Sequence, residues 1–345
     1  MVERADRSVL AIDLGGTQIR AAHVAPDLAV ASRRAVPTHD EEGVDAVVAR
    51  ICDLADEVRR DARSAGLDEP VGIGISSPGP LDPWRGVVVA PPNLAGWRDV
   101  PLADAVEAAL GLRTFLERDT NVAVMAEWRH GAARGARNAI YVTVSTGIGG
   151  GVVVDGRPLS GPDGTAGEVG HMTVDLDGPL CGDGMPGHAE AIGSGTAIAR
   201  EARRLLDAGR APGLAALVGT GEEPDAELVA RAADAGDPDA KGLLDRAWEA
   251  IGAMCASLVN VLNPEVIVIG GSIAAHRSRL WDVVRLELER RAFPVPARRV
   301  RLERPRFGAD VSLVGALPIV NERLGDPAFQ RAPAGAPTAQ RRRST

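Results

Sequence analysis

At 345 residues the chain exceeds one ordinary hydrophobic core, so two domains of roughly 100–200 residues each are expected. Hydrophobic residues make up 45% but aromatics only 3%, so Ala, Val, Leu and Ile must build the cores, and a net charge of −8 argues against a nucleic-acid partner. Cys52, Cys181 and Cys255 are too scattered for a disulfide framework, and no segment approaches the ~20 apolar residues of a membrane span, which leads to the expectation of a soluble cytoplasmic protein.

Ser8–Leu14 reads as a buried strand, too short and too acidic at Asp13 for a signal peptide. Gly15-Gly16 turns it into a second strand, Ile19–Val24, and Val30–Val36 adds a third. A dinucleotide-binding unit would instead open a helix after its glycines. Val44–Ala65 has helical periodicity and stops at Gly66; Val71–Ser77 is a strand broken by Pro78-Gly79-Pro80. Leu102–Leu110 (helix), Thr114–Glu117 (strand) and Thr120–His130 (helix) follow. Asn138–Ser145 is the next strand, and a glycine turn leads to Gly151–Val154. Asp155–Gly187 is rich in Gly, Pro and Asp and reads as loop. Helices at Ala189–Ala208, Asp225–Ala235 and Asp239–Leu262 precede a short strand, Val266–Ile269, ending in Gly270-Gly271. A helix (Leu280–Arg291), a strand (Val300–Glu303) and a helix (Ser312–Leu324) complete the pattern. The Pro/Ala/Gly-rich end with Arg341, Arg342 and Arg343 reads as a disordered tail. Strand–glycine turn–strand occurs at 9–24 and again at 140–154, which suggests two related α/β halves.

Several residues at these junctions carry chemistry. Asp13 ends a buried strand, where ligand sites of α/β sheets lie, and could hold Mg2+ through water. Gly15 and Gly16 let backbone N–H groups approach a phosphate and Thr17 adds a hydroxyl; an ordinary hairpin accounts for the same residues. Thr146-Gly147-Ile148-Gly149-Gly150-Gly151 has more glycine than a plain hairpin needs, and close approach to an anion explains it better. Gly270-Gly271 either seats a nucleoside base or permits tight packing. Asp119, just before a helix, is in isolation an N-cap; the helix dipole favours its charge, and an ionised carboxylate there can also accept a hydroxyl proton. His171, Cys181, Asp183 and His188 are zinc-ligand types dispersed in loop, and spacing leaves metal binding open. Glu168 and Glu190 lack basic neighbours in sequence and face either substrate or solvent.

The segments Asp13–Thr17, Pro92–Trp97, Asp119–Ala123, Ser145–Gly151, Gly167–His171 and Gly187–Glu190 stand in the order and approximate spacing of the ROK family, which the chain resembles over about residues 8–325. That family comprises bacterial sugar kinases and sugar-responsive repressors. The resemblance implies the actin-like ATPase (ribonuclease H-like) fold, two α/β domains around a central cleft: residues 1–118 completed by a helix at about 308–325, then 119–307, with 326–345 as tail. It implies ATP and Mg2+ as cofactors, a homodimer, Asp119 as catalytic base, and Asn93, Glu168, His171 and Glu190 on the sugar hydroxyls. Gly15–Thr17 and Thr146–Gly149 become the phosphate loops, and Gly270-Gly271 the adenosine site.

Two departures from the family pattern stand out. Arg118 replaces the Asn usual before the base, placing a longer cation among the substrate-binding positions. The zinc loop normally carries three cysteines beside its histidine; here those positions are Cys181, Asp183 and His188 beside His171, so either a mixed structural Zn2+ site persists or hydrogen bonds hold the loop. The expected activity is ATP-dependent phosphorylation of a hexose, glucose to glucose 6-phosphate. N-acetylmannosamine, fructose, mannose or allose are alternative acceptors and polyphosphate an alternative donor. A repressor would need a helix-turn-helix ahead of the first glycine turn, where only seven residues precede Ser8, and a non-catalytic sugar-binding regulator would not need Asp119 and both phosphate loops.

Overall fold

The computed structural model describes residues 6–219 and 221–331; the basic tail at 341–343 lies outside them. The chain divides into two compact units, one taking the chain up to Val122 and again from Ser312 onward, the other running Ala123–Val311. The division thus falls after Val122, not at 118/119, and the chain re-enters the first unit at Ser312.

The first unit opens with β1 (Val9–Leu14), β2 (Gln18–Val24) and β3 (Val30–Pro37), followed by α1 (Val44–Ser64), β4 (Ile73–Ser77) and a two-residue ladder of β5 (Leu81–Asp82) and β6 (Val87–Val88). It continues with α2 (Leu102–Leu110), β7 (Thr114–Arg118) and α3 (Asp119–His130), a helix that runs on into the second unit. Strand order is β3-β2-β1-β4-β7. β1 lies between two neighbours with both faces covered, which explains its apolar run from Val9 to Ile12. Leu10, Ile12 and Leu116 share a core with Ile51, Leu54 and Val58 of α1 and Val106 of α2. α11 (Val311–Arg323) also packs on the sheet: a methyl group at Gly74 would lie 2.8 Å from Ala316 Cβ.

The second unit repeats the plan. β8 (Ala139–Val144), β9 (Ile148–Val154) and β10 (Arg157–Pro158) form the antiparallel part, and β11 (Val266–Gly270) and β12 (Arg301–Glu303) add parallel strands, giving the order β10-β9-β8-β11-β12. Both sheets are five-stranded mixed sheets in which a glycine-turn hairpin precedes the parallel strands, the duplicated plan of the actin-like ATPase fold. The helices are α4 (Ala189–Gly193), α5 (Gly195–Asp207), α6 (Pro212–Ala215), α7 (Ala226–Asp234), α8 (Pro238–Leu262), α9 (Ser278–Arg291) and α10 (Pro294–Arg299). Trp248, Ile251, Met254 and Cys255 of α8 are buried against Ile267 and Ile269 of β11 and Val284 and Leu288 of α9.

Three local expectations are corrected. Gly149, Gly150 and Gly151 lie within β9, paired with Thr143, Val142 and Tyr141, so the reversal is confined to Ser145–Gly147. The helix expected over 189–208 is broken at Ser194, whose extended backbone and side-chain bond to Ala197 N (3.1 Å) start α5 afresh. Asp326–Arg331, expected in the tail, is ordered: Pro327–Phe329 makes a short 3-10 turn, and Arg331 pairs with Asp104 and Glu107 (2.7 Å each).

Candidate active site

The first unit carries Asp13, Gly15, Gly16, Thr17, Asn93, Arg118 and Asp119. Gly15 closes the β1–β2 turn by donating its N–H to Gln18 O (3.0 Å). Thr38, which the sequence reading missed, pins this turn from below: its Oγ1 donates to Gly15 O (2.6 Å) and its N–H to Thr17 O (2.9 Å). A methyl at Gly16 would lie 2.7 Å from the carbonyl oxygen of Asn93, so Gly16 is what lets the Asn93 segment approach the turn. Thr17 and Asn93 are exposed. Asp13 accepts from Arg20 Nε at 2.9 Å and Nη2 at 2.5 Å across the β1–β2 ladder, a cation that was not anticipated.

Asp119 is the first residue of α3, directly after β7, and is exposed; its Oδ1 lies 2.7 Å from Thr120 N. The residues around it are not exposed. Glu117 (2% exposed) accepts from Arg118 N at 2.8 Å and Asn121 Nδ2 at 3.0 Å and is ion-paired with Arg323. Arg118 is 3% exposed, and a methyl at Gly79 would lie 3.0 Å from its Cδ. The cation expected on the sugar is therefore packed by its aliphatic stem under the Pro78-Gly79-Pro80 segment.

The second unit carries the rest. Ser145 N donates to Gly147 O (2.9 Å) to close the turn, and Thr146 O accepts from Thr196 N (3.2 Å) and Thr196 Oγ1 (2.9 Å). Gly195 N donates to Ser145 O (2.8 Å), so the N-terminal end of α5, with its partial positive charge, abuts the turn. Ser145 Oγ also lies 2.9 Å from Ser272 Oγ, joining this turn to the Gly270-Gly271 corner. Gly270 is buried against Tyr141, and Gly271 has φ +95° against Val144, so tight packing by itself demands both glycines. The signal for the α5 contact was the Ser194-Gly195 pair, an N-cap hidden inside a helical pattern.

Glu190, on α4, sends Oε2 to Ile148 N (2.8 Å), and a methyl at Gly147 would lie 2.6 Å from that oxygen. Its Oε1 lies 3.7 Å from Cys181 Sγ. Glu168 is exposed beside the 3-10 turn Val169–His171. His171, Cys181, Asp183 and His188 converge, with one donor atom from each within 4.8 Å of all the others. His171 Nδ1 is 3.3 Å from His188 Nδ1 and 2.9 Å from Asp183 Oδ2; His188 Nδ1 is 3.3 Å from Asp183 Oδ2. Cys181 Sγ is 4.0 Å from His171 Nδ1. Ligands about 2.0–2.3 Å from a tetrahedral ion stand about 3.3–3.8 Å apart, so the donor set fits zinc. Burial pushes the Cys181 thiol above its usual range, with the Glu190 and Asp183 carboxylates acting the same way against backbone N–H groups of Asp183 and Gly182. Asp183 is held low, first by the Met185 N–H and then by the two histidines.

The family model described as ROK family matches residues 9–323. The chain is 34% identical over 317 residues to a glucokinase of Thermotoga maritima, covering 92% of this chain and 98% of that protein. It is 33% identical over 309 residues to an N-acetylmannosamine kinase of Salmonella typhimurium, covering 90% and 97%. A ROK family glucokinase from Streptomyces griseus, solved in complex with glucose and AMPPNP, superposes with a TM-score of 0.76 at 30% identity, covering 91% of this chain and 99% of that one. With its family model spanning both sheets and the C-terminal helix, this chain belongs to the ROK family.

Proposed function

We propose that this chain is an ATP-dependent hexose kinase that converts glucose to glucose 6-phosphate in the cytoplasm, as a homodimer. The observation that carries the reading is Asp119: an exposed carboxylate directly after the C-terminal end of β7, flanked by the buried side chains of Glu117, Arg118, Thr120 and Asn121. Asp119 accepts the proton of the sugar hydroxyl while the hydroxyl oxygen bonds to the γ-phosphorus and the bond to ADP breaks. Asn93, Glu168, His171 and Glu190 hold the sugar hydroxyls. The turns at Gly15–Thr17 and Thr146–Gly149 bind phosphate, and Gly270-Gly271 lies at the adenosine. Mg2+ bound with ATP would neutralise charge on its phosphates. Asp13, paired with Arg20, would hold Mg2+ through water rather than directly. Arg118, packed under Gly79, acts on specificity by shaping the wall beside the base.

His171, Cys181, Asp183 and His188 are the proposed holders of one structural Zn2+. With Nδ1 of His171 turned into this cluster, its Nε2 is left for the sugar. Elemental analysis of purified protein is expected to give one zinc per chain, and its absence retires the metal.

The deciding assay is coupled turnover with ATP, and separately polyphosphate, over glucose, N-acetylmannosamine, fructose, mannose and allose. Asp119→Asn is expected to lose about 10²–10⁴-fold in kcat while still binding sugar. Unchanged turnover removes Asp119 as base, and ATP hydrolysis equally fast without sugar removes the kinase reading.

A further inference from the structure

We infer that Glu117 and Arg323, a buried ion pair covered by Phe329, are positioning residues that set the Asp119 carboxylate for proton acceptance; this rests on the kinase reading above. Asp119 Oδ1 accepts from Thr120 N (2.7 Å), so the backbone of the β7–α3 junction contributes to where its carboxylate lies. Among the described residues β7 is an edge strand, paired with β4 on one side only. Successive carbonyls of a strand point alternately to its two sides, so one set would be left without a ladder partner. Arginines from the C-terminal segment supply those partners. Arg331 Nη2 donates to Thr114 O (2.7 Å), and Arg323 Nη1 donates to Leu116 O (3.1 Å), two residues further on.

The second of these contacts reaches the junction itself. Arg323 also pairs with Glu117, whose other carboxylate oxygen takes the Arg118 N–H and the Asn121 side-chain amide. One carboxylate therefore binds the residue before Asp119 and the residue two after it. Phe329 stacks on the Arg323 guanidinium (4.1 Å to the ring centroid) and meets Phe115 edge-on (6.5 Å between centroids). Glu117 and Arg323 are 2% and 7% exposed, so neither is placed to touch substrate. A buried ion pair is weak evidence of net stabilisation over apolar packing, whereas its directional bonds do fix geometry. Misplacement of a reacting group by about 1 Å can cost ~10²-fold in rate.

The test measures kcat, KM for hexose and sugar affinity by calorimetry for Glu117→Gln, Arg323→Lys and Phe329→Ala, each made with Asp119 and with Asp119→Asn. Residual rates are followed with γ-labelled ATP. Glu117→Gln is expected to lower kcat about 10–100-fold with KM and affinity within about twofold. In the Asp119→Asn background the same substitution should change the residual rate less than about threefold, because groups acting through one residue are non-additive. Arg323→Lys, which keeps the charge, should retain more activity than Glu117→Gln. Phe329→Ala leaves the pair intact and is expected to fold even if Glu117→Gln does not; it should lower kcat about threefold or more, only where Asp119 is present. Equal losses in both backgrounds, losses that track the folded fraction, or unchanged kcat would overturn the positioning role. Wild-type turnover lost in Asp119→Asn keeps the kinase reading in any of those cases; absence of wild-type hexose turnover removes both.

Discussion

The two glycine turns stand at equivalent places in the two units but are filled differently. In the first, the space beside Gly16 is taken by the backbone of Asn93, and the turn is pinned by Thr38. In the second, the space beside Gly147 is taken by the Glu190 carboxylate, that beside Gly150 by Val169 at 2.7 Å, and Gly170 in turn is pressed against Ile148 O. One turn is a hairpin braced by Thr38 and the Asn93 main chain; the other is a socket for the segment that runs from Glu168 to Glu190 of α4. Gly147 and Gly150 therefore make room for the protein's own side chains, and an anion is not needed to account for those two.

Substitutions at the three positions separate these roles, taking stability first. Gly170→Ala drives a methyl into the Ile148 carbonyl, which is main chain and cannot step aside, and should cost about 3 kcal/mol in urea unfolding. Gly16→Ala meets Asn93 main chain at 2.7 Å; about 1–2 kcal/mol is expected, with a raised KM for sugar because the Asn93 segment must shift. Gly147→Ala meets only the end of a flexible side chain, so stability should change by less than about 1 kcal/mol while kcat/KM falls as Glu190 leaves the Ile148 N–H. A Gly147→Ala protein as destabilised as Gly170→Ala would erase the distinction.

A smaller effect compares the units through their thiols. Cys255 of α8 is fully buried, and burial pushes its thiol up from 9.0 to about 12. Above pH 9 the unfolded chain releases this proton and the folded chain keeps it, so fewer protons are bound in the unfolded state and stability falls with rising pH. The loss should reach at most about 1.4 kcal/mol per pH unit between roughly pH 9 and 12 and be reduced in Cys255→Ala, as read from urea midpoints. Cys52 of α1 is only half-buried; it should react with a thiol reagent in the native protein, whereas Cys255 should react only after unfolding.

Local pattern sufficed for most of the architecture. Alternation, apolar runs and glycine stops placed the central strands and long helices within a residue or two, because those signals depend only on near neighbours. What escaped depends on distant partners. Gly150 of β9 looked like a turn residue because Val169, which occupies its space, arrives later in the chain. The segment around Phe329 and Arg331 looked like tail because its Pro/Ala/Gly composition hides anchors at Phe115, Asp104 and Glu107. Arg20 beside Asp13 could have been inferred from the hairpin register alone, since a turn over residues 15–18 sets Leu14 opposite Ile19 and so Asp13 opposite Arg20. No spacing rule could have joined Glu117 to Arg323, 206 positions apart.

Synthesis order gives the C-terminal segment a further meaning. The second unit is whole once Val311 has left the ribosome, but the first waits for Ser312 and beyond, although β1 is made before any strand of the second unit. Until Arg323 and Arg331 emerge, Thr114 and Leu116 present an unclaimed strand edge of the kind that recruits other chains. A nascent chain stalled short of that point would be a candidate for chaperone capture, and release of Arg331, eight residues past the end of α11, would be the moment at which the edge of β7 is closed.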